Sequence, residues 1–177
     1  MTHNLDLGPD AGANHLLALL RGLSFSGPVA SDSPLLPGLF FSLDPESSTQ
    51  LRCHSTPGMM VEAEFTVARP GRWMALHINL SEADLRGRQV LGVVCKSHSP
   101  AATTFRLCLR SGREGGFTDT FFRKTVVAYA ETSTHLDALM LDAEPGLPAE
   151  APWRELVLFF RPETSKITLQ DLRIFIV

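Results

Sequence analysis

The sequence has no apolar run long enough to cross a bilayer, which takes about twenty such residues. Lysine is scarce: only three of the 16 basic residues are lysine, and the arginines are scattered rather than gathered into a stripe. With a net charge of −3 and a pI near 6.0, that distribution argues against a nucleic-acid partner, because phosphate contacts dominate such binding. Catalytic signatures are also missing. There is no G-x-G-x-x-G, Walker loop, H-E-x-x-H or G-x-S-x-G. GLSFSG at 22–27 comes nearest, but its last glycine falls one residue late for a nucleophile elbow and no strand-like run precedes it. Glu62 and Glu64 are the polar side of a half-buried strand rather than an acid–base pair. The chain is expected not to be an enzyme.

Cysteine is present only three times, an odd number far apart in sequence, which fits reduced thiols in a reducing compartment. Cys95-x-x-His98 has zinc-like spacing. Cys53 and His54, however, are adjacent and point to opposite faces of a strand, and Cys108 stands alone. Buried thiols and surface histidines are the expectation, with no metal and no cofactor. The first residues carry Asp6 and Asp10, lack a basic start, and hold only the short apolar stretch Leu16–Leu20, so no signal peptide is read. The expected location is cytoplasmic, away from membranes.

What is present is the composition of one ordinary domain: 177 residues, 44% apolar and 20% charged. Asn14 is placed to cap a short helix, HLLALLRGL, with leucines on one broad face and Gly22 near its end. Residues 24–38, rich in Ser, Pro and Gly, read as a loop or extended connector. The expected division is residues 1–38, helix and connector packed on the domain, and 39–177, a β domain.

From there the period is two. MVEAEFTV alternates Val61, Ala63, Phe65 and Val67 with polar residues, and RWMALHINL and FRLCLR follow the same rule. SEADLRG has a capping-box shape and suggests one helical turn, while SGREGGFTD reads as a loop. Eight to ten strands separated by Gly, Pro, Ser and Asp turns indicate an all-β antiparallel β-sandwich with one short N-terminal helix. In the closing segment, Ile167 and Leu169 share one parity while Leu172, Ile174 and Ile176 share the other. A bulge at Gln170–Asp171 restores the register, and 162–165 supplies the turn of a final hairpin.

From about residue 59 to 177 this pattern resembles the jelly-roll of carbohydrate-binding modules and galactose-binding-like domains. The stretches that carry the likeness are MVEAEFTV, GRWMALHINL, GREGGFTDTFF and WRELVLFFRPETSKITLQDLRIFIV. The resemblance implies a non-catalytic, carbohydrate-binding-like sandwich, which in an intracellular setting belongs to polysaccharide or glycan metabolism. It also allows a structural calcium, for which Asp171 is the residue to watch.

One set of residues fits that implication. Opposite the core positions of their strands lie Trp73, His77 and Asn79; Arg106 and Arg110; and Trp153 and Glu155. If these strands share a sheet, its outer face joins aromatic plates to planar hydrogen-bonding groups, as sugar recognition requires. The alternative is a protein-interaction or homo-oligomerisation module, using the helix or a sandwich face and binding no small molecule.

Overall fold

In a computed structural model describing residues 8–177, the alternating pattern becomes twelve strands and one α-helix. The helix is α1 (Ala11–Gly22). The strands are β1 (Phe25–Val29), β2 (Pro34–Leu36), β3 (Leu39–Leu43), β4 (Ser48–Ser55), β5 (Val61–Arg69) and β6 (Met74–Ser81). They continue with β7 (Val90–His98), β8 (Thr103–Arg113), β9 (Gly116–Ala128), β10 (Ser133–Met140), β11 (Arg154–Phe160) and β12 (Ser165–Ile176). All pairings are antiparallel, in two six-stranded sheets. The first runs β1-β4-β5-β12-β7-β10 and the second β2-β3-β6-β11-β8-β9. This is the jelly-roll β-sandwich expected from the spacing.

Period two explains the core. In β6, β8 and β11, Met74, Leu76, Ile78, Phe105, Leu107, Leu109, Leu156 and Leu158 all face the other sheet and are almost fully buried. They meet Phe65, Val61, Leu91, Val93, Leu172 and Ile174 from β5, β7 and β12. Phe160 is the hub, with its ring centroid 5.4 Å from Phe65, 5.5 Å from Phe105 and 6.3 Å from Phe41.

The closing stretch departs from the expected hairpin. β11 lies at the centre of one sheet, between β6 and β8, whereas β12 lies at the centre of the other, between β5 and β7. The turn between them is therefore a crossing from sheet to sheet. β11 is apolar at both parities because its outward Val157 is buried and Phe159 packs beside it, whereas β12 keeps Lys166 and Arg173 on its outward side. The bulge appears where expected: β12 shifts register against β7 between Leu169 and Asp171, so Ile167, Leu169, Leu172 and Ile174 all reach the core.

Four other readings are corrected. The stretch 24–38 is not a connector, because β1 and β2 form the edges of the two sheets there. Asn14 does not cap α1, which begins at Ala11 after Asp10. Its amide instead donates to the carbonyl of Ile174 at 2.7 Å and accepts from the Ile174 N–H at 3.0 Å, docking the helix on β12. Ala13, Leu17 and Leu20 are buried in that contact. SEADLRG forms turns rather than a helical turn, with Ser81 at a φ of 56° and Asp84 gripping Arg86. SGREGGFTD is mostly strand, since β8 and β9 leave only Glu114–Gly115 between them.

Arg154 occupies a core-facing position of β11 and is fully buried. Among the described residues it has no carboxylate partner. Nε donates to the carbonyl of Ala83 at 2.8 Å, Nη2 to that of Pro148 at 2.6 Å, and Nη1 to Ser111 Oγ. The planar fork thus ties two connecting segments to the end of the second sheet. Burial pulls its pKa below the usual arginine value. Arg154→Met should lower the unfolding free energy by about 3 kcal/mol or more, because two buried acceptors and one half-buried one lose a charged donor. Arg154→Lys should recover only part of it, and urea unfolding with an unchanged slope is the check.

Candidate functional site

The register of the second sheet decides which outward residues meet. Val157 of β11 pairs with His77 of β6 and Cys108 of β8. Glu155 pairs with Asn79 and Arg110, and Phe159 with Ala75 and Arg106. Beyond β8, Cys108 faces Phe121 and Arg110 faces Asp119, while on the other side Phe40 faces His77. The face has a layered build. Ala75, Cys108 and Val157 form a small, fully buried floor, and Trp73, Phe121 and Phe159 pack over it.

Above that floor runs a groove of about 700 Å³ lined by Trp73, His77, Arg106, Arg110, Phe117, Phe121 and Phe159 with Ser42, Arg72 and Asp119. Its aromatic and cationic groups are interleaved. The Arg110 guanidinium carbon lies 3.8 Å from the Phe117 ring centroid, and that of Arg106 lies 4.3 Å from Phe121. Arg72 stands 5.1 Å from Trp73. Planar cations over ring faces hold both groups in place.

The groove's carboxylates already have partners. Asp119 accepts from Arg110 Nε at 2.7 Å and from Nη2 at 2.8 Å, a bidentate pair. Burial opposes the charge on Arg110, yet the hydrogen bonds and charge of Asp119 outweigh it and hold the guanidinium above its ordinary value. Glu155 Oε2 lies 2.7 Å from His77 Nδ1, and the His77 ring stacks on Phe40 with centroids 4.7 Å apart. His77 is only 5% exposed, so it orients Glu155 more than it offers surface.

The seven residues singled out in the sequence all fall on this face, with different fates. Trp73, His77, Arg106 and Arg110 line the groove, and Glu155 lies against His77. Asn79 accepts from the Ser81 N–H at 2.6 Å and lies against Gly38, whose φ of 86° and close approach leave no room for a Cβ. It shapes the sheet's end. Trp153 lies over Gly112, beyond the groove. Phe117, Asp119, Phe121 and Phe159 were not among those residues. The first two were hidden by the glycines that made GREGGFTD look like a loop. Phe159 has outward parity in RELVLFF, whereas Phe121 is adjacent to Phe122 and only the structure shows that Phe122 is the buried one of the two.

A second hollow, of about 730 Å³, lies at the sandwich edge beside Ser31, Asp44, Thr49 and Arg52, and shares Ser42 and Trp73 with the groove. Its buried Asp44 accepts from the backbone N–H groups of Arg72 and Glu46 and from Arg72 Nε, so its carboxylate is already satisfied. The calcium suggested by the jelly-roll pattern does not fit Asp171, whose carboxylate is taken by the guanidiniums of Arg21 and Arg173. Among the described residues no three His, Cys, Asp or Glu side chains gather to hold a metal ion. Cys95 is buried in the sandwich while the partly exposed His98 approaches Gln170, so the zinc-like spacing brings no ligand pair together.

No protein-family model matches the sequence, and no curated protein matches it. Solved structures do match the fold. A family 4 carbohydrate-binding module superposes with a TM-score of 0.55 at 13% identity, over 85% of this chain and 95% of that one. A family 11 module from Clostridium thermocellum, in complex with a β-1,3-1,4-mixed-linked tetrasaccharide, gives 0.55 at 10% identity over 86% and 96%. A xylan-binding domain from Paenibacillus barcinonensis gives 0.53 at 9% identity over 87% and 96%. At these identities the likeness establishes the fold: this chain has the jelly-roll of carbohydrate-binding modules.

Burial pushes the Cys53, Cys95 and Cys108 thiols up to about 12 from 9.0. An aromatic disulfide reagent should find no fast thiol in the folded protein and all three after denaturation. Because the folded thiols hold their protons more tightly than unfolded ones, their contribution to stability is whole below pH 9.0 and declines as pH rises towards about 12. Urea midpoints measured across that range should fall, and less steeply for Cys108→Ala.

Proposed function

We propose that the groove on the second sheet binds a carbohydrate chain without cleaving it. The observation that carries this reading is the open groove with its aromatic lining. Trp73, Phe117, Phe121 and Phe159 supply ring faces for the apolar C–H side of sugar rings. Arg106, Arg110 and Asp119 supply planar donors and acceptors for their hydroxyls. The jelly-roll neighbours, one of them bound to a tetrasaccharide and another a xylan-binding domain, support it. The absence of catalysis is supported by the state of the two carboxylates. Each is committed to a basic partner, whereas glycoside hydrolysis needs one acid and one base or nucleophile flanking the scissile bond. The three buried, unpaired thiols support a reducing, cytoplasmic setting, and with it a role in intracellular glycan metabolism.

A second reading, self-association, is favoured by the outer face of the first sheet. Leu136 and Met140 of β10 are 54% and 49% exposed there, paired with Val94 and Val90 of β7. Light scattering at micromolar concentration separates the two. A strict monomer removes self-association and leaves the groove reading intact.

Titration calorimetry against a panel of soluble polysaccharides tests the groove directly. Trp73→Ala and Phe117→Ala should each weaken binding about tenfold or more with the circular dichroism spectrum preserved. Trp153→Ala, beyond the groove, should weaken it less. Binding undiminished by both groove changes would falsify the site.

A further inference from the structure

We infer that the groove is built for an acidic carbohydrate and that Arg106 anchors a uronate carboxylate, a statement that rests on the carbohydrate reading above. Three arginines and one aspartate line the groove. Two of those arginines already have carboxylate partners. Arg110 is held bidentately by Asp119, and Arg72 lies 3.1 Å from Asp44 and 3.8 Å from Glu46. Among the described residues Arg106 has no ion-pair partner, and its guanidinium donates no hydrogen bond. Its one hold is the Phe121 ring 4.3 Å away.

That hold shapes what it can bind. Planted over the ring, the guanidinium keeps its N–H edge free, and that edge matches the two oxygens of a carboxylate. The register puts Arg106 opposite Phe159 on β11, so the cation sits between two ring-bearing strands rather than out on a loop. Apolar walls lower the local dielectric and strengthen such a contact. An incoming carboxylate meets Asp119 already paired with Arg110, and Glu155 turned onto His77 rather than towards Arg106. A neutral hydroxyl accepts from Arg106 as well, but it leaves the charge uncompensated when the chain covers it. A uronate compensates it.

The test is affinity electrophoresis and calorimetry of the whole chain against three sets of glycans. The neutral set is mixed-linked β-glucan, arabinoxylan and galactomannan. The carboxylated set is glucuronoxylan, polygalacturonate and alginate, and the sulfated glycan is carrageenan. At least one carboxylated glycan should bind about tenfold or more tightly than any neutral one, and raising salt from about 50 to about 500 mM should erase most of the difference. Arg106→Gln should bring carboxylated binding down to the neutral level, and Arg106→Lys, which keeps charge without the fork, should fall between. Trp73→Ala should weaken both classes together. Arg106 is exposed, and an unchanged melting temperature verifies that both Arg106 variants fold.

Neutral binding without acidic preference, or a preference that survives Arg106→Gln, overturns the inference and leaves the carbohydrate reading standing. Tighter binding of carrageenan than of every carboxylated glycan overturns the carboxylate assignment. No binding to any of the seven glycans overturns both.

Discussion

Four residues, 161–164, carry the chain from the centre of one sheet to the centre of the other, and the sandwich is organised around that crossing. β11 lies between β6 and β8, and β12 between β5 and β7, so each closing strand sets the register of two neighbours. Register in a sheet cannot slip by one residue without turning every side chain to the opposite face. Holding β11 in place therefore decides at once which residues form the core and which form the outer face. Phe160, at the end of β11, touches the aromatic core on both sides of the sandwich, and Arg154, at its start, ties down the connecting segments.

The outer face of the second sheet follows from the same constraint. Central strands leave their outward residues flanked on both sides, so these are partly buried even though they face solvent. Small residues at three such positions, Ala75, Cys108 and Val157, make a floor, and larger rings at neighbouring positions close over it. The result is a second, thin apolar layer outside the sandwich, studded with arginines whose planes lie on ring faces. Among carboxylates on that face, Asp119 and Glu155 each face a basic group, which leaves Arg106 as the groove arginine whose charge is uncompensated among the described residues. The jelly-roll neighbours share the architecture at 9 to 13% identity, too little to carry over any residue of their sites.

Much of this face is legible in the sequence, because strand parity is a local property. RWMALHINL and FRLCLR alternate so regularly that Trp73, His77, Arg106 and Arg110 separate from the core residues on inspection. Parity failed where glycine interrupted it. Gly112 looked like loop punctuation, yet it is strand, and its missing side chain makes room for the Trp153 ring, whose Nε1 lies 2.4 Å from where a Cβ would stand. With that segment taken for a loop, Phe117 and Asp119 had no parity to read. The stretch 24–38 failed for a related reason. Edge strands of five and three residues tolerate Pro and Ser on their free side and so look like connectors.

The amino-acid sequence by itself determined the all-β class, the single helix, the bulge at Gln170 and the inward or outward sense of most strand residues. All of these depend on neighbours one to four positions apart. Only the tertiary structure decided that the last two strands belong to different sheets, that Arg110 meets Asp119, and that Arg106 rests on Phe121 without a carboxylate. Those pairings join residues through strand order and register, which depend on the free energy of the whole packed sandwich rather than on any short stretch.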